Sequence, residues 1–398
     1  MHDLRGLSGL KVLDLSRVLA GPYCGMVLAD LGAEVVKVEM PGVGDDSRAF
    51  GPFVGSESAY FMSLNRNKES ITLNLKEEKA KEIFLRLVEK FDVVLENYRP
   101  GTMEKLGLGY DRLSQVNPRL IYAATSGFGH TGPYSLKPAY DVVVQGMGGI
   151  MSITGHPGGP PTRVGASIGD ITAALFTTIG ILAALNMRHE TGKGQKVDVA
   201  MLDSQVAILE NAIARYEVTG QVPERIGNRH PSITPFTSVQ AADGYLIIAI
   251  GNDSLWAKFC RMVAREELID DPRYRTNKDR TDNWDALEPV LTEIFVNKTV
   301  DEWISLLESA GIPCGPINTV DKVVSDPQVL ARNMIVEVEH PVAGKLRMAG
   351  CPIKLSAVPG REIRRPAPLL GQHTTEVLSR YLGMSKDEIE HLKIQGVV

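Results

Sequence analysis

A single aspartate, Asp170, ends the glycine-containing run Thr162-Arg-Val-Gly-Ala-Ser-Ile-Gly169 and opens a long apolar stretch. Two roles suit it. As an N-cap it would accept hydrogen bonds from the free amides at the start of the helix that the stretch predicts. As a nucleophile it would attack an activated acyl group, and the positive end of a helix favours the ionised carboxylate this requires. The roles are compatible, and the flexible run before Asp170 would let a substrate come close. A second group of chemistry-bearing residues is Glu96-Asn-Tyr-Arg-Pro-Gly101. It puts an amide, an aromatic ring and a guanidinium at the carboxyl end of a predicted strand, where ligands bind in open α/β sheets. Asn97, Tyr98 and Arg99 could hold an adenine and its phosphates, with Arg99 suited to bidentate contact and Lys105 adding charge about a helical turn later. The plain alternative is a loop turned by Pro100. His156 and His230 lie in Gly/Pro-containing loops, where a solvated surface histidine is the default and a general base the alternative.

Apolar periodicity supplies the elements that must position these groups. Residues 11–16 and 34–39 read as strands on either side of a helix at 23–31, introduced by Gly21-Pro22 and closed by Gly32. A helix at 76–91, strands at 92–96 and 120–125, an apolar helix from 170 to about 188, a strand at 196–200 and a helix at 201–219 follow. Parallel strands joined by helices predict a doubly wound α/β core. The first βαβ unit invites a dinucleotide reading, with Glu39 placed to hold a ribose hydroxyl. Ala20-Gly-Pro-Tyr-Cys-Gly25 speaks against it, because proline and tyrosine stand where pyrophosphate approach needs glycines. Residues 221–235 read as a Gly/Pro-containing linker. Strands at 236–240 and 245–250 around the Asp243-Gly244 turn then open a second α+β domain.

The totals exclude several classes. A chain of 398 residues supports two cores, and a net charge of −5 points to no nucleic-acid partner. Cys24, Cys260, Cys314 and Cys351 are far apart with no Cys-x-x-Cys pair, which argues against a zinc site or a disulfide framework and for a reducing compartment. Residues 1–5 carry no apolar targeting core. The longest apolar run, 171–185, is shorter than the roughly 20 residues of a membrane span and reads as a buried helix. A cytoplasmic protein without a membrane partner is expected.

Taken together, the motifs resemble the family III CoA-transferases, the CaiB/BaiF group. The resemblance runs through Leu13-Asp-Leu-Ser-Arg-Val-Leu-Ala-Gly-Pro22, residues 28–39, Asn65-Arg-Asn-Lys68, Glu96-Asn-Tyr-Arg-Pro-Gly101, Ser126-Gly-Phe-Gly129, Tyr140-Asp141 leading to Gln145, Gly169-Asp170, residues 192–203, Gly311-Ile-Pro-Cys-Gly-Pro316 and residues 370–378. It implies a Rossmann-like large domain over 1–220 that carries the nucleophile, a linker over 221–235, a small α+β domain over 236–325 and a return segment over 326–398 packing on the large domain. Two such chains would form an interlocked homodimer. It further implies that Asp170 is the nucleophile, that Tyr140 and Asp141 flank the acyl group, and that Arg17, Val18, Leu73, Asn74, Leu75, Lys76, Asn97, Tyr98, Arg99 and Lys105 hold coenzyme A. The expected reaction moves CoA from a donor acyl-CoA, with succinyl-CoA favoured, to a small carboxylic acid, without metal or organic cofactor. The related α-methylacyl-CoA racemases carry a histidine where this chain has Tyr140, and a phenol is a poor base at neutral pH. A non-catalytic acyl-CoA binder, with Asp170 only a cap, is the other alternative. Met40 stands where relatives often have a phosphate-binding arginine, which shifts that role to Arg48, Arg99 or Lys105. Ile250-Gly-Asn-Asp-Ser254 lacks the glycine-rich loop of formyl-CoA transferases and argues against formate or oxalate.

Overall fold

The computed structural model describes residues 5–358, 360 and 362–398, so part of the leader reading at residues 1–5 falls outside it. The chain forms two compact units. One comprises 1–149, 164–210 and 327–398, the other 150–163 and 211–326. The partition differs from the expected one in three places: residues 150–163 go with the second unit, the chain passes to it at 210 and not at 220, and residues 221–235, expected as a linker, lie within it. The expected helix over 201–219 is accordingly two helices, Met201–Ala207 and Asn211–Thr219, with Glu210 between them at φ 55°, a conformation that breaks an α-helical ladder.

The first unit is built on a six-stranded parallel sheet in the order Lys68–Thr72, Glu34–Glu39, Lys11–Asp14, Val93–Glu96, Ile121–Ser126, Lys196–Ala200. In chain order this is 3-2-1-4-5-6, the doubly wound arrangement, with a switch point between the first and fourth strands. The period-2 alternation of each strand feeds two cores. Leu13, Val36, Val94 and Tyr122 face one, where the helix Glu78–Val88 and the C-terminal helices Thr374–Leu382 and Lys386–Ile394 pack. Val12, Val35, Val93 and Ile121 face the other, against the helices Ala20–Asp30 and Ile168–Thr191. The strand Lys68–Thr72 was not legible as a strand, since its first three residues are polar. Each is satisfied in place: Lys68 by Asp14, Glu69 by Arg365 and Arg380, Ser70 by Glu39.

The helix Ile168–Thr191 is long and apolar enough to cross a membrane by length and composition. It does not match the expected buried helix. Ala173, Ala174, Thr177 and Ile181 pack inward, whereas Leu175, Phe176, Ile179 and Met187 are 42%, 38%, 59% and 51% exposed.

The second unit has a three-stranded antiparallel sheet in the order Cys314–Pro316, Tyr245–Ala249, Phe236–Gln240. Its core is aromatic, with Trp256, Phe259, Phe295 and Trp303 in contact, and the indole N–H of Trp303 donates to the Phe295 carbonyl.

Candidate active site

Asp170 sits in the first turn of the helix Ile168–Thr191, two residues inside it, while Ser167 occupies the cap position without a side-chain cap bond. The N-cap reading is therefore corrected: the helix begins earlier than the apolar run, and Asp170 caps nothing. Among the described residues no hydrogen bond or ion pair engages its carboxyl. Burial, and then the nearby Asp141 carboxylate, push its pKa up to about 7. The expected lowering by the helix start is outweighed by lost hydration and like-charge repulsion.

Asp141 is buried and fully engaged. One carboxylate oxygen accepts from the Gly169 N–H at 2.8 Å, the other from the Gln145 amide at 2.7 Å, and Gln145 Oε1 accepts from the Val164 N–H at 2.9 Å. A Cβ on Gly169 would lie 2.7 Å from Val144 and 3.0 Å from Asp141, so only glycine permits this approach. Asp141 and Gln145 thus pin the run 164–169 that delivers Asp170. Tyr140, at the cap position of the helix Asp141–Met147, is 76% exposed.

A cleft of about 480 Å³ at the carboxyl ends of the strands gathers six of the ten expected coenzyme residues: Arg17, Leu73, Leu75, Lys76, Tyr98 and Lys105. The other four do not line it. Asn97 works behind the wall, accepting from the Arg17 N–H at 2.7 Å and donating to the Arg17 carbonyl at 2.8 Å. Val18 takes φ 67° and donates its N–H to Asp45. The Asn74 N–H donates to the Val397 carbonyl, and Arg99 is exposed outside the cleft. Met40 does line the cleft. Arg48 is not free for a phosphate: it makes a two-pronged pair with Glu39 at 2.7 and 2.8 Å and lies over the Phe61 ring. Glu39 is likewise spent on Arg48, Ser70 and the Asp45 N–H, which leaves nothing for a ribose. The cations facing the cleft are Lys76, Lys105, Lys37 and Arg17, of which Lys37 is paired with Asp45 at 2.8 Å and Arg17 with Asp46 at 3.2 Å.

Beneath the cleft lies a buried ionic layer. Lys68 Nζ donates to Asp14, the Pro22 carbonyl and Asn65, and Lys37 Nζ donates to the Ser16 carbonyl. Burial opposes ionisation of Asp14, but Lys68 and Lys37 outweigh it and hold the carboxyl below its usual range. Asp45, in the same layer, accepts from Val18 and Ser47 and so ties the Val18 turn to the ionic core.

Sequence reasoning missed Tyr60 and Gln145 as site residues. The Tyr60 phenol is pushed up by burial and then by the charges of Asp170, Asp45 and Asp141. No local signal marks Tyr60, 110 positions from Asp170; Gln145, four residues after Asp141 on one helical face, carried such a signal. His156 and His230 fall in the second unit. His156 lines a separate cavity of about 540 Å³ with Arg229, Gln240 and Trp284, and His230 Nδ1 accepts from the Ser232 N–H beside Phe236. At the loop 250–254, Asn252 caps the helix Asp253–Met262. Among the described residues no group of three or more His, Cys, Asp or Glu side chains is placed to hold a metal.

A family model described as CoA-transferase family III matches residues 7–374. The succinyl-CoA:glutarate CoA-transferase of Homo sapiens is 42% identical over 399 residues, covering 100% of this chain and 91% of that protein. The acetyl-CoA:oxalate CoA-transferase of Acetobacter aceti is 46% identical over 365 residues, covering 92% of each. A CaiB/BaiF family protein from Brucella suis, solved by crystallography, has a TM-score of 0.83 and 41% identity over 94% of this chain and 99% of that one.

Proposed function

The chain belongs to family III of the CoA-transferases, and we propose that it moves CoA from a donor acyl-CoA to a small dicarboxylic acid through covalent intermediates on Asp170. The observation that carries this reading is Asp170 itself: an unpaired carboxyl with a pKa of about 7, delivered by a run that Asp141 and Gln145 pin. Ionised Asp170 attacks the donor's acyl carbon, and the C–S bond breaks to release CoA thiolate and leave an aspartyl–acyl anhydride. The thiolate attacks the aspartyl carbonyl, freeing the donor acid and forming an aspartyl-CoA thioester. The acceptor carboxylate then displaces the thiolate, which attacks the acceptor's acyl carbon and restores Asp170. Electron pairs balance within these steps, so no cofactor is required.

Relatives named for glutarate and for oxalate support a dicarboxylate as acceptor and succinyl-CoA as a donor to try first. With a 46% identical relative named for oxalate, the sequence argument against that acid loses its force. Incubation with succinyl-CoA and a panel of dicarboxylic acids is expected to give a new CoA ester, and hydroxylamine should trap a hydroxamate on the peptide containing Asp170. Exchange of an α-proton with solvent deuterium in a branched acyl-CoA, without any acceptor acid, would instead establish the racemase reading.

The exposed apolar residues of the helix Ile168–Thr191, with Val142, Val143 and Met147 of its neighbour, support a second copy of the chain as their cover, as in the interlocked homodimer that the family resemblance implies. Light scattering is expected to give twice the chain mass of 43.4 kDa; a mass of one chain at micromolar concentration rejects the dimer. Four free thiols support a reducing, cytoplasmic setting.

A further inference from the structure

Glu96 takes no part in the chemistry above, yet it is 2% exposed at the end of the strand Val93–Glu96. Its Oε2 accepts from the Tyr98 N–H at 2.7 Å and its Oε1 from the Tyr122 hydroxyl at 3.1 Å. A third donor faces it. Lys196 Nζ lies 2.9 Å from His130 Nδ1, and an ammonium only donates, so the neutral ring carries its proton on Nε2. That Nε2 is buried without a hydrogen-bond partner, 3.8 Å from Glu96 Oε1. Asp198 fixes the loop by accepting from the His130 N–H at 3.0 Å. What Glu96 holds is a wall of the cleft: the Tyr98 ring lines it with the Arg17 guanidinium 5.4 Å away, and Asn97 clamps the Arg17 backbone.

We propose that Glu96 is a positioning residue for coenzyme binding, its buried carboxylate accepting from Tyr98 and Tyr122 with the His130 ring facing it, and so fixing the turn that presents Tyr98 and Arg17 to the cleft. The proposal rests on the reading of that cleft as the CoA site. Burial raises the carboxyl to about 7; the Tyr98 amide, Tyr122 and Lys196 oppose the rise and Glu104 adds to it. Burial and then Lys196 keep His130 below its usual range. Above about pH 7, Glu96 is an ion that accepts from the Tyr98 amide and the Tyr122 hydroxyl. As pH falls through that value it gains a proton, loses acceptor capacity and releases the turn.

The test is calorimetric titration of coenzyme A itself into the Asp170→Asn protein, where neither turnover nor Asp170 ionisation contributes. The Kd for CoA is expected to rise about tenfold between about pH 8 and about pH 6, the scale of a lost charge-assisted hydrogen bond. Adding Glu96→Gln should leave binding weak at both pH values and abolish the pH dependence. Tyr122→Phe removes one donor with packing kept, and should move the transition to higher pH. A Glu96→Gln protein with a lower melting temperature but unchanged Kd and pH dependence overturns the proposal, because the carboxylate is then only structural. A parent that binds no CoA at any pH overturns the reading of the cleft, and the proposal with it.

Discussion

Asp170→Asn is expected to lose CoA transfer by on the order of 10⁴-fold or more and, above pH 7, to melt at a higher temperature than the parent. The loss follows because an amide cannot form the anhydride. The gain follows from the position: a carboxyl raised from 3.8 to about 7 by burial and Asp141 costs the folded state free energy once ionised. Between those values the folded chain keeps a proton that the unfolded chain has given up, so the cost is absent below the lower value, grows with pH, and is complete above the upper one. Asparagine removes it. Allowing for solvent at a partly exposed carboxyl, the gain is about 2 kcal/mol at alkaline pH and near zero at about pH 4. Melting curves of both proteins across that range check the sign; a gain that is equal at both ends, or absent, removes ionised Asp170 as a source of strain. The same titration makes parent kcat rise with pH through about 7.

Lys68→Met is expected to destabilise the first unit by about 3–5 kcal/mol, the largest stability effect among the groups around the cleft. Both partners of the Lys68–Asp14 pair have fully buried side chains, and the ammonium spends its three hydrogens on Asp14, the Pro22 carbonyl and Asn65. Methionine fills similar space but leaves Asp14 with Lys37 as its remaining cation. Adding Asp14→Leu should recover part of the loss, since the unpaired charge then disappears. Denaturant unfolding of the two proteins decides it: if the double variant is no more stable than the single one, lost packing and not an uncompensated ion is the cause.

The strands at 34–39, 92–96 and 120–125 were legible as short apolar runs, the helix at 76–91 by its helical periodicity and the hairpin by its Asp243-Gly244 turn, all local properties. Lys68–Thr72 was not, because its burial depends on Asp14, Glu39, Arg365 and Arg380, partners from remote parts of the chain. The site divides in the same way. Motifs in the residue string singled out Asp170, Asp141 and the expected coenzyme segments, and six of the ten residues expected there line one cleft. They could not reveal that Arg48 is committed to Glu39, that Arg99 does not line the cleft, or that the charge of Asp170 acts on the Tyr60 phenol. Residue type and spacing determined which groups this chain could bring to acyl transfer. Tertiary structure alone decided which of them are free, because pairing, hydration and ionisation are set by neighbours distant in sequence.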